Sequence, residues 1–220
     1  MEANYLKRPE GVRLKFRVNG NSAKIYDKQG SSLRAETTIN NPRDMKSYRT
    51  SEGDPNGKKK WQRMKKGVSD LARRAEISQK SNERCLDALA SIETDRTLGE
   101  LTAEVCRRKI GPKRPARALN PLADDDRRLL LAVGRGEFLI NGFRNRDIRA
   151  LMFGGAAEDA NKTKRQSAAV TRLLRLLREH GVIKKVPKTH RYHATERGRE
   201  LITGLAAAHA AIPLKFQVAA

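Results

Sequence analysis

The sequence predicts an α+β protein: an N-terminal three-stranded antiparallel meander with covering helices, linked to a C-terminal unit of helices and two short strands. Period-two alternation runs from Gly11 to Asn40, and helical apolar spacing dominates after Val68. A basic, Pro-containing stretch at 111–122 separates two regions of different composition. The division read from this is 1–110 for the sheet and its helices, 111–122 for a tether, 123–212 for the second unit and 213–220 for a tail.

The strands come first. Val12, Leu14, Phe16 and Val18 alternate with Arg13, Lys15 and Arg17, and Asn19-Gly20-Asn21 supplies residues that tolerate positive φ, so a hairpin is expected there. The next strand sets Ala23, Ile25 and Asp27 against Lys24, Tyr26 and Lys28. Gln29-Gly30-Ser31-Ser32 turns it into a third, where Leu33, Ala35, Thr37 and Ile39 alternate with Arg34, Glu36 and Thr38. One face is apolar and the other is rich in Lys and Arg. So small a meander has exposed edges, which a homodimer, a companion chain or a missing N-terminal portion would each cover.

Residues 41–66 carry Asp54-Pro55-Asn56-Gly57, then Lys58-Lys59-Lys60 and a lone Trp61, and read as a loop or arm. A solitary Trp in a chain only 5% aromatic is expected to dock on the sheet's apolar face, although between Lys60 and Arg63 it is also placed to stack on a base. Val68, Leu71, Ala75, Ile77 (off the strict period), Cys85, Leu86, Leu89 and Ile92 suggest one long helix or two consecutive ones over the sheet. Thr97 is the expected cap of a further helix striped by Leu98, Leu101 and Val105, which Gly111-Pro112 ends.

The C-terminal unit opens with Asp124-Asp125-Asp126 at the positive end of a helix through Leu129, Leu130 and Val133, closed by Gly134 and Gly136. Phe138, Leu139 and Ile140 read as a short extended piece. Asn145 is the expected cap of a second helix through Ile148, Leu151, Met152 and Phe153. A third helix runs from about Lys162 to His180, with Val170, Leu173, Leu174 and Leu177 as its buried stripe. Segments 182–186 and 191–195 read as two strands joined at Pro187-Lys188-Thr189-His190, and Thr195 caps a last helix holding Leu201, Ile202 and Leu205.

Asn161 to Leu205, above all Gly181-Val182-Ile183 followed by Arg191-Tyr192-His193-Ala194-Thr195-Glu196-Arg197-Gly198, resembles the winged-helix domains of bacterial transcription regulators. The resemblance spans roughly 122–210 and implies a fold more than a role, because winged helices also serve replication initiators, transposition proteins and protein-binding modules. The chain as a whole is similar to the C-terminal half of longer bacterial proteins that share a sheet carrying Lys24, Tyr26, Lys28, Leu33, Arg34, Glu36, Thr37, Ile39 and Asn40. That likeness transfers no activity.

Charge narrows the partners. The chain is +22 over 220 residues, and 161–199 alone holds twelve Lys and Arg against Glu179 and Glu196, a net +10. A polyanion is the expected partner, because each neutralised phosphate releases a condensed counterion. In a winged helix the third helix would read the major groove, which nominates Lys162, Lys164, Arg165, Gln166, Ser167, Thr171, Arg172 and Arg175, with Lys188, His190 and Arg191 at the tip of the wing. Secondary backbone contacts are expected from Arg13, Lys15, Arg17, Lys24 and Lys28 on the sheet, with Tyr26 as a stacking ring, and from Lys58, Lys59 and Lys60.

Chemistry is not expected. Tyr26-Asp27-Lys28 with Leu33-Arg34-Ala35-Glu36 is similar to a strand pair of some rolling-circle replication initiators, but no His-x-His accompanies it and alternation parts Asp27 from Glu36. An Arg34–Glu36–Lys28 surface ion network is the expected arrangement. Cys85 and Cys106 have no metal-ligand spacing, Gly134-Arg135-Gly136 is not a phosphate loop, and no cofactor or metal is expected. Without a signal peptide's apolar core at Met1-Glu2-Ala3-Asn4-Tyr5 or an apolar run of about 20 residues, the expected location is cytoplasmic, on the nucleoid. The sequence favours binding to duplex DNA. Its alternatives are the nucleic-acid-gripping part of a larger replication, recombination or nuclease assembly, and a binder of RNA or single strands.

Overall fold

The computed structural model describes residues 2–8, 11–91, 96–110, 115–154 and 159–218. It is mixed α and β, in two compact units: Met1–Leu86 with Leu139–Asn141, and Asp87–Phe138 with Gly142–Ala220. The boundary therefore lies far upstream of the expected tether.

The first unit is built on a four-stranded antiparallel sheet, not a three-stranded one, in the order β1 (Glu2–Arg8), β2 (Gly11–Val18), β3 (Asn21–Lys28), β4 (Ser32–Ile39). The additional strand pairs along its whole length, from Glu2 opposite Arg17 to Arg8 opposite Gly11. Asn19 and Gly20 both take positive φ in the β2–β3 turn, the backbone that matches the twist of a tight hairpin. Ala23, Ile25 and Ile39 are buried. Helix α1 (Leu71–Ala90) approaches this side, where the Thr37 hydroxyl lies 2.8 Å from both Ser81 Oγ and Asn82 Oδ1. Ile39, Met45, Met64 and Ile77 form a small core there.

The expected loop at 41–66 contains a hairpin, β5 (Lys46–Arg49) and β6 (Lys60–Arg63). Trp61 sits in β6, 45% exposed, rather than buried on the main sheet. The buried carboxylate of Asp70 anchors the hairpin's base, accepting the Lys65 N–H at 2.8 Å and pairing with Arg49 at 3.3 Å. Leu139 and Ile140, expected to be extended, lie in the single helical turn α4 (Phe138–Asn141). Arg84 donates to their carbonyls at 2.6 and 2.7 Å, satisfying acceptors that a four-residue helix cannot.

The second unit comprises α2 (Leu98–Ala103), α3 (Asp124–Val133), α5 (Asn145–Phe153), α6 (Ala160–Glu179), β7 (Ile183–Lys185), β8 (Tyr192–Ala194) and α7 (Glu196–Val218). Thr97 caps α2 in a reciprocal capping box with Glu100. Yet α2 joins this unit, because Leu101 and Val105 are buried in its core. The expected tether does likewise where it is described. Lys109 pairs with Ala116, the Leu119 N–H donates to Val105, and Ala116 and Leu119 are buried. Arg117 makes two bonds to the buried Asp126 carboxylate, and its carbonyl accepts the Nε2–H of buried His180 at 2.8 Å. Residues 111–114 of the tether lie outside the described residues, as does the last part of the tail.

Phe143 exchanges backbone hydrogen bonds with Tyr192 at 3.0 and 2.9 Å, extending the two-stranded β7–β8 ladder by one bridge, and their rings stack 5.9 Å apart. The Thr195 hydroxyl accepts the Gly198 N–H at the start of α7, as a capping residue should. No helix among the described residues is long and apolar enough to cross a membrane.

Candidate nucleic-acid interface

Asp159 starts α6, its carboxylate accepting the N–H groups of Asn161 and Lys162 at 3.0 and 3.3 Å. An acid at the positive helix end is favourable twice over, as a cap and against the macrodipole. The helix buries Val170, Leu174 and Leu177 at no more than 1% exposure. At 3.6 residues per turn, Asn161, Arg165, Ala168, Arg172 and Arg175 fall in one line on the opposite side, and all are exposed. Lys162 and Lys164 flank that line and are exposed too. The line runs about 21 Å along the axis at 1.5 Å per residue. Among the described residues, no carboxylate pairs with Lys162, Lys164, Arg165, Arg172 or Arg175.

Two predicted readers on this helix are engaged elsewhere, and a third is half-buried. The Ser167 hydroxyl donates to Asn145 Oδ1 at 3.1 Å, and Asn145 Nδ2 donates to the Ser167 carbonyl and the Thr171 hydroxyl, both at 2.9 Å. Thr171 in turn donates to the Ser167 carbonyl. Both side chains thus hold α6 against α5 instead of presenting free donors. Gln166 is half-buried, and its Oε1 is sealed from solvent without a partner. Asn145 is not the cap it was expected to be: it is the first residue of α5, whose Arg144 N–H is accepted by Asp147 at 2.7 Å. No signal along the sequence marks it, because its partners lie 22 and 26 residues away.

The β7–β8 turn carries Lys188 with φ of 58°, and both Lys188 and His190 are exposed. Thr189 shapes the turn, its hydroxyl donating to the Val186 carbonyl and accepting the Arg191 N–H. Arg191 is not a tip residue as expected. It is half-buried and its Nη1 reaches the Gly142 carbonyl at 3.3 Å, bracing the turn from within. Lys184 and Lys185, not nominated from sequence, are exposed on β7.

On the sheet of the first unit, Arg13, Lys15, Lys24 and Tyr26 are half-buried, while Arg17 and Lys28 are exposed. Partial burial, then the crowding of Arg17, Lys24 and Arg13, holds the Lys15 ammonium below its usual range. Lys24 pairs with Glu36 at 2.8 Å and Arg34 approaches the same carboxylate at 3.5 Å. The network therefore runs through Lys24 and not Lys28. The Tyr26 hydroxyl donates to Glu36 at 2.7 Å, which pushes its pKa up, the reverse of what activates a phenol as nucleophile. Lys58, Lys59 and Lys60 are exposed at the start of β6.

No protein-family model, curated protein or solved structure matches this chain.

Proposed function

We propose that the second unit is a winged helix that binds duplex DNA, with α6 in the major groove and the Lys188–His190 tip against the adjoining backbone. The order of helix, Phe143 bridge, helix, helix and two strands supports the fold reading. The observation that carries the binding reading is the exposed line Arg165, Arg172 and Arg175, opposite the buried Val170, Leu174 and Leu177. A helix fits the roughly 12 Å width of the major groove, and Arg can bridge guanine O6 and N7 or hold phosphate. With Ser167 and Thr171 bonded to Asn145 and Gln166 half-buried, arginine is left to carry base recognition. Guanine-bearing sites are the expected targets.

The test is a salt titration of the full chain on random duplex, single-stranded DNA and structured RNA, beside Arg165→Ala/Arg172→Ala. If five phosphates are engaged, duplex affinity falls by about three decades between roughly 50 and 200 mM salt. The double variant loses its duplex preference, and its log–log slope drops by about two. A double variant that binds duplex with the parent's affinity and slope overturns the reading.

A further inference from the structure

We propose that the β5–β6 hairpin is a stacking platform for unpaired bases of a single-stranded nucleic acid, a site separate from α6. Tyr48 and Trp61 are cross-strand partners with ring centroids 5.4 Å apart, inclined at 48°. Both remain open to solvent, at 56% and 45% exposure. Large rings left side by side on a ribbon forgo burial that would stabilise the fold. What they present is a π-surface.

The surroundings select its ligand. Side chains two apart on a strand share a face, so Lys46 and Arg63 flank the rings on the same side. The Arg73 guanidinium lies 5.5 Å from the centroid of the Trp61 ring, and its Nε donates to the Lys46 carbonyl at 3.1 Å, which fixes it to the hairpin. The ladder sets Lys46 opposite Arg63 and Arg49 opposite Lys60. Like charges directly opposed weaken a ribbon. Asp70 answers Arg49, and Glu76 answers Arg73. Among the described residues, no carboxylate pairs with Lys46, Lys58, Lys59, Lys60 or Arg63. Exposed rings flanked on their own face by Lys46, Arg63 and Arg73, with Lys58, Lys59 and Lys60 adding charge where the chain enters β6, match a strand of phosphates and flat bases. A duplex hides its base faces, so the platform selects unpaired ones. An acidic protein would satisfy the cations but leave the ring faces without a counterpart.

Trp61 is the only tryptophan in the chain, so its fluorescence reports this site in the full-length protein. The probes are an oligothymidylate and an oligouridylate of about eight nucleotides, within the span of a single-strand site, and an abasic strand of the same length and charge. Both base-bearing strands are expected to quench Trp61, and the abasic strand to bind roughly tenfold more weakly. Tyr48→Ala weakens binding by roughly tenfold, and Tyr48→Phe, which keeps the ring, binds as the parent does. The ratio of the two oligonucleotides then says whether DNA or RNA is the source. Arg165→Ala/Arg172→Ala leaves the quenching unchanged, which separates this site from the duplex site. Equal binding of the abasic strand, or a Tyr48→Ala chain as tight as the parent, overturns the platform. A fluorescence change that follows protein concentration alone assigns the rings to self-association instead.

Discussion

Asn145 and Ser167 exchange hydrogen bonds between two helices: Ser167 Oγ donates to Asn145 Oδ1 at 3.1 Å, and Asn145 Nδ2 returns one to the Ser167 carbonyl at 2.9 Å. The pair ties α6 to α5 at the margin of the buried stripe whose opposite side carries Arg165 and Arg172. Asn145→Ala removes three bonds at once, those to Ser167 and the one to Thr171. A loss of about 1–2 kcal/mol in urea unfolding is expected. Duplex affinity falls as well, although Asn145 is assigned no contact with DNA. Unchanged stability in the Asn145→Ala chain would show that these bonds do not hold α6 to α5.

The wing separates bracing from contact. Arg191→Ala deletes the guanidinium bond to Gly142 and should cost about 1 kcal/mol of stability while leaving the salt slope of duplex binding alone. Lys188→Ala is expected to do the reverse, lowering the slope by about one without moving the urea midpoint. Paired unfolding and salt titrations on the two variants read both effects.

Gly198 is needed for space. A Cβ there would collide with the backbone carbonyl of Val182, which is no flexible side chain that could yield, and would press on the Thr195 hydroxyl. Gly198→Ala is expected to destabilise the second unit by about 2–3 kcal/mol through overpacking. Thermal unfolding followed by circular dichroism is the check, and a midpoint within a degree of the parent's would refute it.

Acid should act through Asp126. Burial pushes its carboxyl up, but the two Arg117 bonds and the Asn120 N–H outweigh that, and the net shift is below the ordinary value of 3.8. A carboxylate depressed in the folded state contributes stability above its ordinary pKa and loses that contribution as pH falls through the lower, folded value. Glu76, held down to about 2 by Lys80 and Arg73, loses its smaller, solvent-screened share in the same direction. Stability should therefore decline as pH drops below about 4. Asp126→Asn lowers stability at neutral pH and flattens that decline, which urea midpoints measured from pH 3 to 7 can show.

The regular strands were legible because Val12 to Ile39 keeps a two-residue period long enough to leave no other reading. β1 was not, because its alternation stops after Glu2-Ala3-Asn4-Tyr5, where Leu6 follows Tyr5 and two cations follow Leu6, too short a run to mark a strand. Four-residue strands around Asp54-Pro55-Asn56-Gly57 hid the second hairpin, since a run of three lysines reads as solvated loop whether or not it is paired. The tether hides its core residues for a related reason. Ala116 and Leu119 are two apolar residues among Pro, Lys and Arg, too sparse for a period, yet each fills a place in the core of the second unit.

At the interface, the apolar stripe of α6 gave its exposed arginines correctly, because helix geometry alone decides which residues face away from Val170 and Leu174. It left open the fate of polar residues at the stripe's margins. Gln166, Ser167 and Thr171 sit there, and whether such a side chain faces a ligand or a neighbouring helix depends on a partner such as Asn145, which periodicity does not reveal. Arg191 was misplaced likewise, by the Gly142 carbonyl 49 residues away.

The opposed cations of the β5–β6 ladder make ionic strength a two-edged variable. Lys46 against Arg63, a pair no carboxylate among the described residues offsets, pushes the strands apart in the free protein, and mobile ions shorten the reach of that repulsion to about 10 Å at 0.1 M. Added salt should slow amide exchange in this hairpin while it dissociates bound nucleic acid. A phosphate chain does the work of salt locally: it closes the ribbon by neutralising it, so the hairpin should be more ordered in the complex than alone at low ionic strength.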